Sequence, residues 1–118
     1  MSLSVSFYIK NKALFIRLVG EMDQECVGDL KDKLYDIIVK NDIKNIVFNL
    51  KYLDFIDSTG IGIIIGRYNQ IRMRQGYIIL CSINRAIERV ILLSGLTRIC
   101  IIKTNEEESN HFLEVVYG

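Results

Sequence analysis

The chain contains no proline, and it has only one histidine and three cysteines. Each scarcity removes a class of protein. Without proline there is no proline-rich linker to separate domains, and no repeat or low-complexity stretch divides the chain either. A serine hydrolase needs a base to activate its nucleophile, most often a histidine. Here the only candidate, His111, lies near the end of the chain in the last expected helix. Cys26, Cys81 and Cys100 are odd in number and lack C-x-x-C or Cys/His spacing, so they read as buried, reduced thiols in a cytoplasmic protein, with no metal site.

Other patterns are missing as well. The 15 Lys and Arg nearly cancel the 14 Asp and Glu, which gives no general attraction to nucleic acid or membrane. Arg67, Arg72 and Arg74 read as the solvated face of a helix. No uncharged apolar run approaches the ~18 residues of a membrane span, and the first ten residues alternate apolar with polar instead of forming a leader. There is no G-x-x-x-x-G-K-[ST] and no G-x-S-x-G.

What remains is a chain of 118 residues, half of them hydrophobic, suited to one globular domain over residues 1–118. Leu3, Val5, Phe7 and Ile9 alternate with polar neighbours as in a half-buried strand. Asn11-Lys12 turns the chain into a second strand with Leu14, Ile16 and Leu18, ended by Gly20. Asp23 is the expected N-cap of a helix whose apolar stripe is Val27, Leu30, Leu34, Ile37 and Ile38.

Asn41-Asp42 breaks that helix ahead of a central strand, Ile46–Leu50. A second helix is expected from about Ser58 to Arg74, stopped by Gly76. Ile78–Cys81 forms a fourth strand, and a short helix capped by Asn84 and closed by Gly95 follows it. Ile99–Ile102 forms a fifth strand. Thr104 and Glu107 have capping-box spacing ahead of a last helix with Phe112, Leu113 and Val116. The order β-β-α-β-α-β-α-β-α predicts an α/β fold: a mixed, mainly parallel sheet of about five strands with about four helices.

The candidate chemistry lies between the third strand and the second helix, in Asp57-Ser58-Thr59-Gly60. A hydroxyl at a helix N-terminus sits where unpaired N–H groups and the helix dipole favour negative charge, so Ser58 can carry a phosphate. A serine at a helix N-terminus is more often no more than a cap. Gly60-x-Gly62-x-x-x-Gly66 is one residue longer than a dinucleotide fingerprint, and the acid expected after the next strand is replaced by Cys81-Ser82. Glycines inside a helix imply a close approach, either by the sheet beneath or by a partner above. Glu21, Asp23, Asp54 and Asp57 could suggest a metal or an acid/base pair, but they show no regular ligand spacing, and Asp23 and Asp57 also read as caps.

Phe55-Ile56-Asp57-Ser58-Thr59-Gly60-Ile61-Gly62, together with Gly20-Glu21-Met22-Asp23, Gly66-Arg67-Tyr68 and Ser94-Gly95-Leu96, resembles the STAS domain of bacterial anti-sigma factor antagonists, in its sporulation branch. The resemblance spans essentially the whole chain. It implies a regulator and not an enzyme, with no cofactor of its own. Such a protein binds an anti-sigma factor that is also a serine kinase holding ADP or ATP, and so frees a sporulation sigma factor. Ser58 corresponds to the serine that this kinase phosphorylates and a dedicated phosphatase restores. Glu21, Asp23, Asp57, Thr59, Gly60, Ile61 and Gly62 correspond to the partner-binding surface. Thr59 stands where many relatives have a second serine, and Ser82-Ile83-Asn84 lacks the proline common after the fourth strand. The alternatives are a stress-response partner switch, or a nucleotide binder using the Gly60 to Gly66 loop.

Overall fold

A computed structural model describes residues 2–117. The expected order is the observed one: β1 (Leu3–Lys10), β2 (Ala13–Met22), α1 (Leu30–Lys40), β3 (Asn45–Ile56), α2 (Ser58–Ile71), β4 (Ile78–Cys81), α3 (Arg85–Leu93), β5 (Ile101–Lys103) and α4 (Glu106–Tyr117). The strands form one five-stranded sheet in sequence order. β1 is antiparallel to β2, and the remaining pairs are parallel.

Period-two alternation gives this sheet two different faces. Leu14, Ile16, Ile46, Phe48, Ile78 and Leu80 form the main core with Leu34 and Ile38 of α1, Ile63 and Ile64 of α2, and Ile87 and Ile91 of α3. On the other face Ala13, Phe15, Val47, Ile79 and Cys81 are covered by Leu113 of α4. The carboxylate of Glu106 ties α4 to the sheet: it accepts from Arg17 Nε and Nη2 at 2.8 and 2.9 Å, Asn49 Nδ2 at 2.7 Å and Tyr8 Oη at 2.9 Å. No helix of the described residues is long and apolar enough to cross a membrane.

Several boundaries differ from the sequence reading. Gly20 does not end β2. It lies inside the strand at φ +112°, where a Cβ would meet the carbonyl oxygen of Ser2 at 2.2 Å. α1 starts at Leu30 behind Asp29, so Asp23 is not its cap, and Val27 packs on the core from the preceding loop. β3 continues to Ile56, six residues past the expected Leu50.

The end of α2 also departs from expectation. It finishes at Ile71 and runs into a 3-10 turn, Arg72–Arg74, closed by the left-handed Gln75 at φ +61° instead of by Gly76. Gly76 serves another purpose, since a Cβ there would lie 1.7 Å from the carbonyl oxygen of Lys44. β5 starts two residues later than expected. Asn105, not Thr104, serves the start of α4, its Oδ1 accepting from Glu108 N at 2.8 Å. Arg67 is not on a solvated face. It is 4% exposed between α1 and α2, where Nη1 donates to Lys31 O at 3.1 Å.

Candidate functional site

β3 pairs with β4 only from Ile46 to Asn49. Beyond that point the amide of Asn84 takes over, with Nδ2 lying 3.0, 2.9 and 2.8 Å from the carbonyls of Leu50, Lys51 and Leu53. The same side chain caps α3 by accepting from Ala86 N, as the sequence predicts. Freed from β4, the end of β3 runs beside β2 to the rim of the sheet. Two register irregularities, between Arg17 and Val19 and between Gly20 and Glu21, insert extra residues into β3. The second leaves Asp54 and Phe55 both exposed between the buried Leu53 and Ile56.

At this rim the chain enters α2. Asp57 is extended at φ −114°, ψ −168°, and its Oδ1 accepts from Thr59 N at 2.9 Å and Gly60 N at 3.3 Å. Asp57 is therefore the N-cap, as expected. Ser58 is the first helical residue and is exposed, and its hydroxyl makes no hydrogen bond among the described residues. The capping duty that could have accounted for Ser58 is carried by its neighbour.

Backbone contacts bring the loop after β2 to the same place. Asp57 N donates to Met22 O at 3.3 Å. Gly60 is buried there, and a Cβ on it would lie 2.6 Å from that same oxygen and 2.7 Å from Ile56. Gly62 and Gly66 face open space, with nothing within 4 Å of where a Cβ would stand. The sheet thus requires a glycine at position 60 but not at 62 or 66. Ile61 is half-buried against the core, and Thr59 is half-buried beside it.

Glu21 and Asp23 lie half-buried on either side of Met22. Asp23 Oδ1 accepts from Cys26 N at 2.8 Å, closing a turn instead of a helix. The hydrogen bond with the Cys26 side chain, and after it that backbone bond, holds the Asp23 carboxyl below the usual carboxylate range. In return the hydrogen bond to Asp23 pushes the Cys26 thiol up. Glu21, Asp23 and Cys26 each place one donor atom within 4.8 Å of the others. One oxygen of Glu21 is buried with no partner among the described residues.

All seven residues expected to bind a partner therefore lie in two adjoining segments, one closing β2 and one opening α2. Asp54 is exposed on β3 just before them. Cys26 is half-buried, unlike Cys81 and Cys100, and all three thiols are free. Sequence reasoning missed Phe55 as a surface residue. It is 47% exposed and opposite Glu21 in the register, and a strict alternation carried through the irregularity could not have shown this.

A sequence profile described as STAS domain matches residues 4–109. An anti-sigma F factor antagonist of Paenibacillus polymyxa is 34% identical over 98% of this chain and 99% of its own. The solved structure of the anti-sigma factor antagonist SpoIIAA in its unphosphorylated form is 26% identical and superposes with a TM-score of 0.81, over 94% of this chain and 97% of that one. The phosphorylated form of the same Bacillus cell fate determinant is likewise 26% identical, with a TM-score of 0.73 over 92% of this chain and 99% of that one.

Proposed function

The chain belongs to the STAS domain family, among its anti-sigma factor antagonists, and on that premise we propose that it is a partner switch controlled by phosphorylation of Ser58. It binds an anti-sigma factor that is also a serine kinase, with ADP or ATP in the kinase site, and so releases a sporulation sigma factor in the cytoplasm. The kinase transfers phosphate to Ser58, and a serine phosphatase removes it. The chain is the substrate of both reactions and catalyses neither.

The observation that carries this reading is the free hydroxyl of Ser58. It is exposed on the first residue of α2 while Asp57 performs the capping. A kinase can therefore take the hydroxyl without dismantling the helix start. Glu21, Asp23, Asp57, Thr59, Gly60, Ile61 and Gly62 form the docking rim, and the exposed Phe55 adds an apolar contact beside it.

Phosphorylation adds about −1.5 to −2 charge and three acceptor oxygens. The Asp57 carboxylate already occupies two N–H groups at this helix end. The new phosphate must therefore share the rim with Asp57, Asp23 and Glu21. In water the charges are screened, but in a closed interface, against a nucleotide, they are not. Moving a complex from 99:1 bound to 1:99 takes roughly 5.5 kcal/mol of differential affinity. Like-charge crowding with desolvation is of that order.

The nucleotide-binding alternative needs backbone open to a pyrophosphate at the first glycine. Gly60 faces Met22 and Ile56 instead, which counts against it. The decisive experiment incubates the protein with ATP, with and without the cognate kinase, then maps phosphate by mass spectrometry and pulls down partners in both states. Label on Ser58 only with kinase, and kinase capture only by the unphosphorylated form, is the expected result. Phosphate on Thr59 or Ser94, or ATP hydrolysis by the chain alone, overturns the reading.

A further inference from the structure

At the opposite end of the sheet the β1–β2 turn, the start of β3 and the end of α4 enclose a basin of about 480 Å³. That is within the ~300–1,000 Å³ typical of small-molecule sites. Its floor is apolar: Ala13 and Leu113 are 3% and 7% exposed, and the ring of Tyr117 forms one wall. Among the described residues its edge carries three lysines, Lys10, Lys12 and Lys44, against a single acidic side chain, Glu114.

The walls are held in place. Lys12 O accepts from Lys44 N at 2.8 Å and from Asn45 N at 3.3 Å, which locks the turn to β3. Tyr117 Oη donates to the Oδ1 of the buried Asn45 at 3.1 Å, which pins the end of α4. The charges are only partly spent. Lys12 pairs with Asp42 at 3.2 Å, whereas Lys10 and Lys44 make no ion pair among the described residues. Lys44 Nζ sits 4.5 Å from the centre of the Tyr117 ring, over the apolar wall. Glu114 Oε1 is occupied by Asn110 Nδ2 at 2.9 Å.

We propose that this basin binds a small amphipathic organic anion: a carboxylate, sulfonate or phosphate ester on a flat apolar body. The body lies on Ala13, Leu113 and the Tyr117 ring, and the acid group meets Lys10 and Lys44. An apolar floor beneath unpaired ammonium groups selects for that combination. A neutral apolar molecule leaves the lysines unused, and a small inorganic anion leaves the floor wet. The twelve residues of β3 separate this site from Ser58 by roughly 36 Å at ~3.3 Å per residue. It is therefore independent of the partner switch, and either reading can fail alone.

The test is a ¹H–¹⁵N NMR titration of the full chain with 8-anilinonaphthalene-1-sulfonate as the probe. Saturable shifts centred on Ala13, Asn45, Leu113 and Tyr117 are expected. Lys10→Ala, at an exposed position, and Lys44→Ala, at a half-buried one outside the core, should each weaken binding about three- to fivefold with an unchanged circular dichroism spectrum. N-phenyl-1-naphthylamine, which keeps the rings and lacks the sulfonate, should bind about tenfold more weakly or worse. The proposal is overturned by shifts centred instead on the exposed Leu92 and Leu93 of α3. Equal binding of the neutral probe, indifference to both lysine variants, or no shifts at millimolar probe overturns it too.

Discussion

The carboxylate of Asp57, and not the adjoining hydroxyl of Ser58, caps α2. The two residues thus divide the work of a helix start, one holding the backbone and the other left free on the surface. Asp57→Ala should cost about 0.5–2 kcal/mol in denaturant unfolding, the usual loss for an N-cap. Ser58→Ala should stay within about 0.5 kcal/mol of the parent while abolishing phosphate acceptance and leaving the kinase bound constitutively. Ser58→Asp and Ser58→Glu should bind the kinase poorly. A large stability loss in Ser58→Ala would return the hydroxyl to a structural role.

Gly60 and Gly62, two residues apart on one helix, should respond oppositely to the same methyl group. At position 62 the space is open, so Gly62→Ala should gain up to about 0.8–1.0 kcal/mol of helix propensity. The added methyl should nevertheless obstruct docking and slow phosphorylation. At position 60 the methyl would meet Met22 O at 2.6 Å. Gly60→Ala should therefore lower stability by about 1–3 kcal/mol, as overpacking does. Thermal melts alongside kinase-binding titrations separate the two. If Gly62→Ala binds with parental affinity, Gly62 leaves the docking rim.

Asp23 should matter to binding more than to folding. Its side chain closes a short turn through Cys26 N and touches no helix start. Asp23→Ala should leave the melting temperature nearly unchanged and weaken kinase capture. A variant that melts early yet binds and accepts phosphate normally would reduce Asp23 to a turn residue.

Acid should loosen α4 from the sheet through Glu106. The bond from Arg17, aided by Asn49 and Tyr8 and opposed by desolvation, lowers its pKa from the ordinary 4.5 to about 2. A carboxyl depressed on folding stabilises the native state fully above its unfolded value. That contribution is lost as pH falls from about 4.5 towards about 2. Glu106→Gln should reduce stability at neutral pH and flatten the stability profile across that acid window. A profile as steep as the parent's would mean that other carboxylates carry the acid transition.

The sequence alone determined the order of elements, because a two-residue alternation and a 3.6-residue stripe are local signatures that each segment carries by itself. It also determined the caps Asp57 and Asn84, where the capping side chain and the N–H it serves lie two or three residues apart. The family pattern around Ser58 was legible for the same reason. Only the tertiary structure decided what depends on a distant neighbour. Met22 O makes Gly60 obligatory and leaves Gly62 free, although both glycines look alike in the chain. Lys31 O receives Arg67, turning an apparent surface charge into a buried one. Asn84 takes over where β4 stops, and β3 runs on to the rim that holds Ser58. Glu106 draws Tyr8, Arg17 and Asn49 together from positions up to 98 residues away. Such contacts form only when the strands pair and the helices pack, and no local periodicity encodes them.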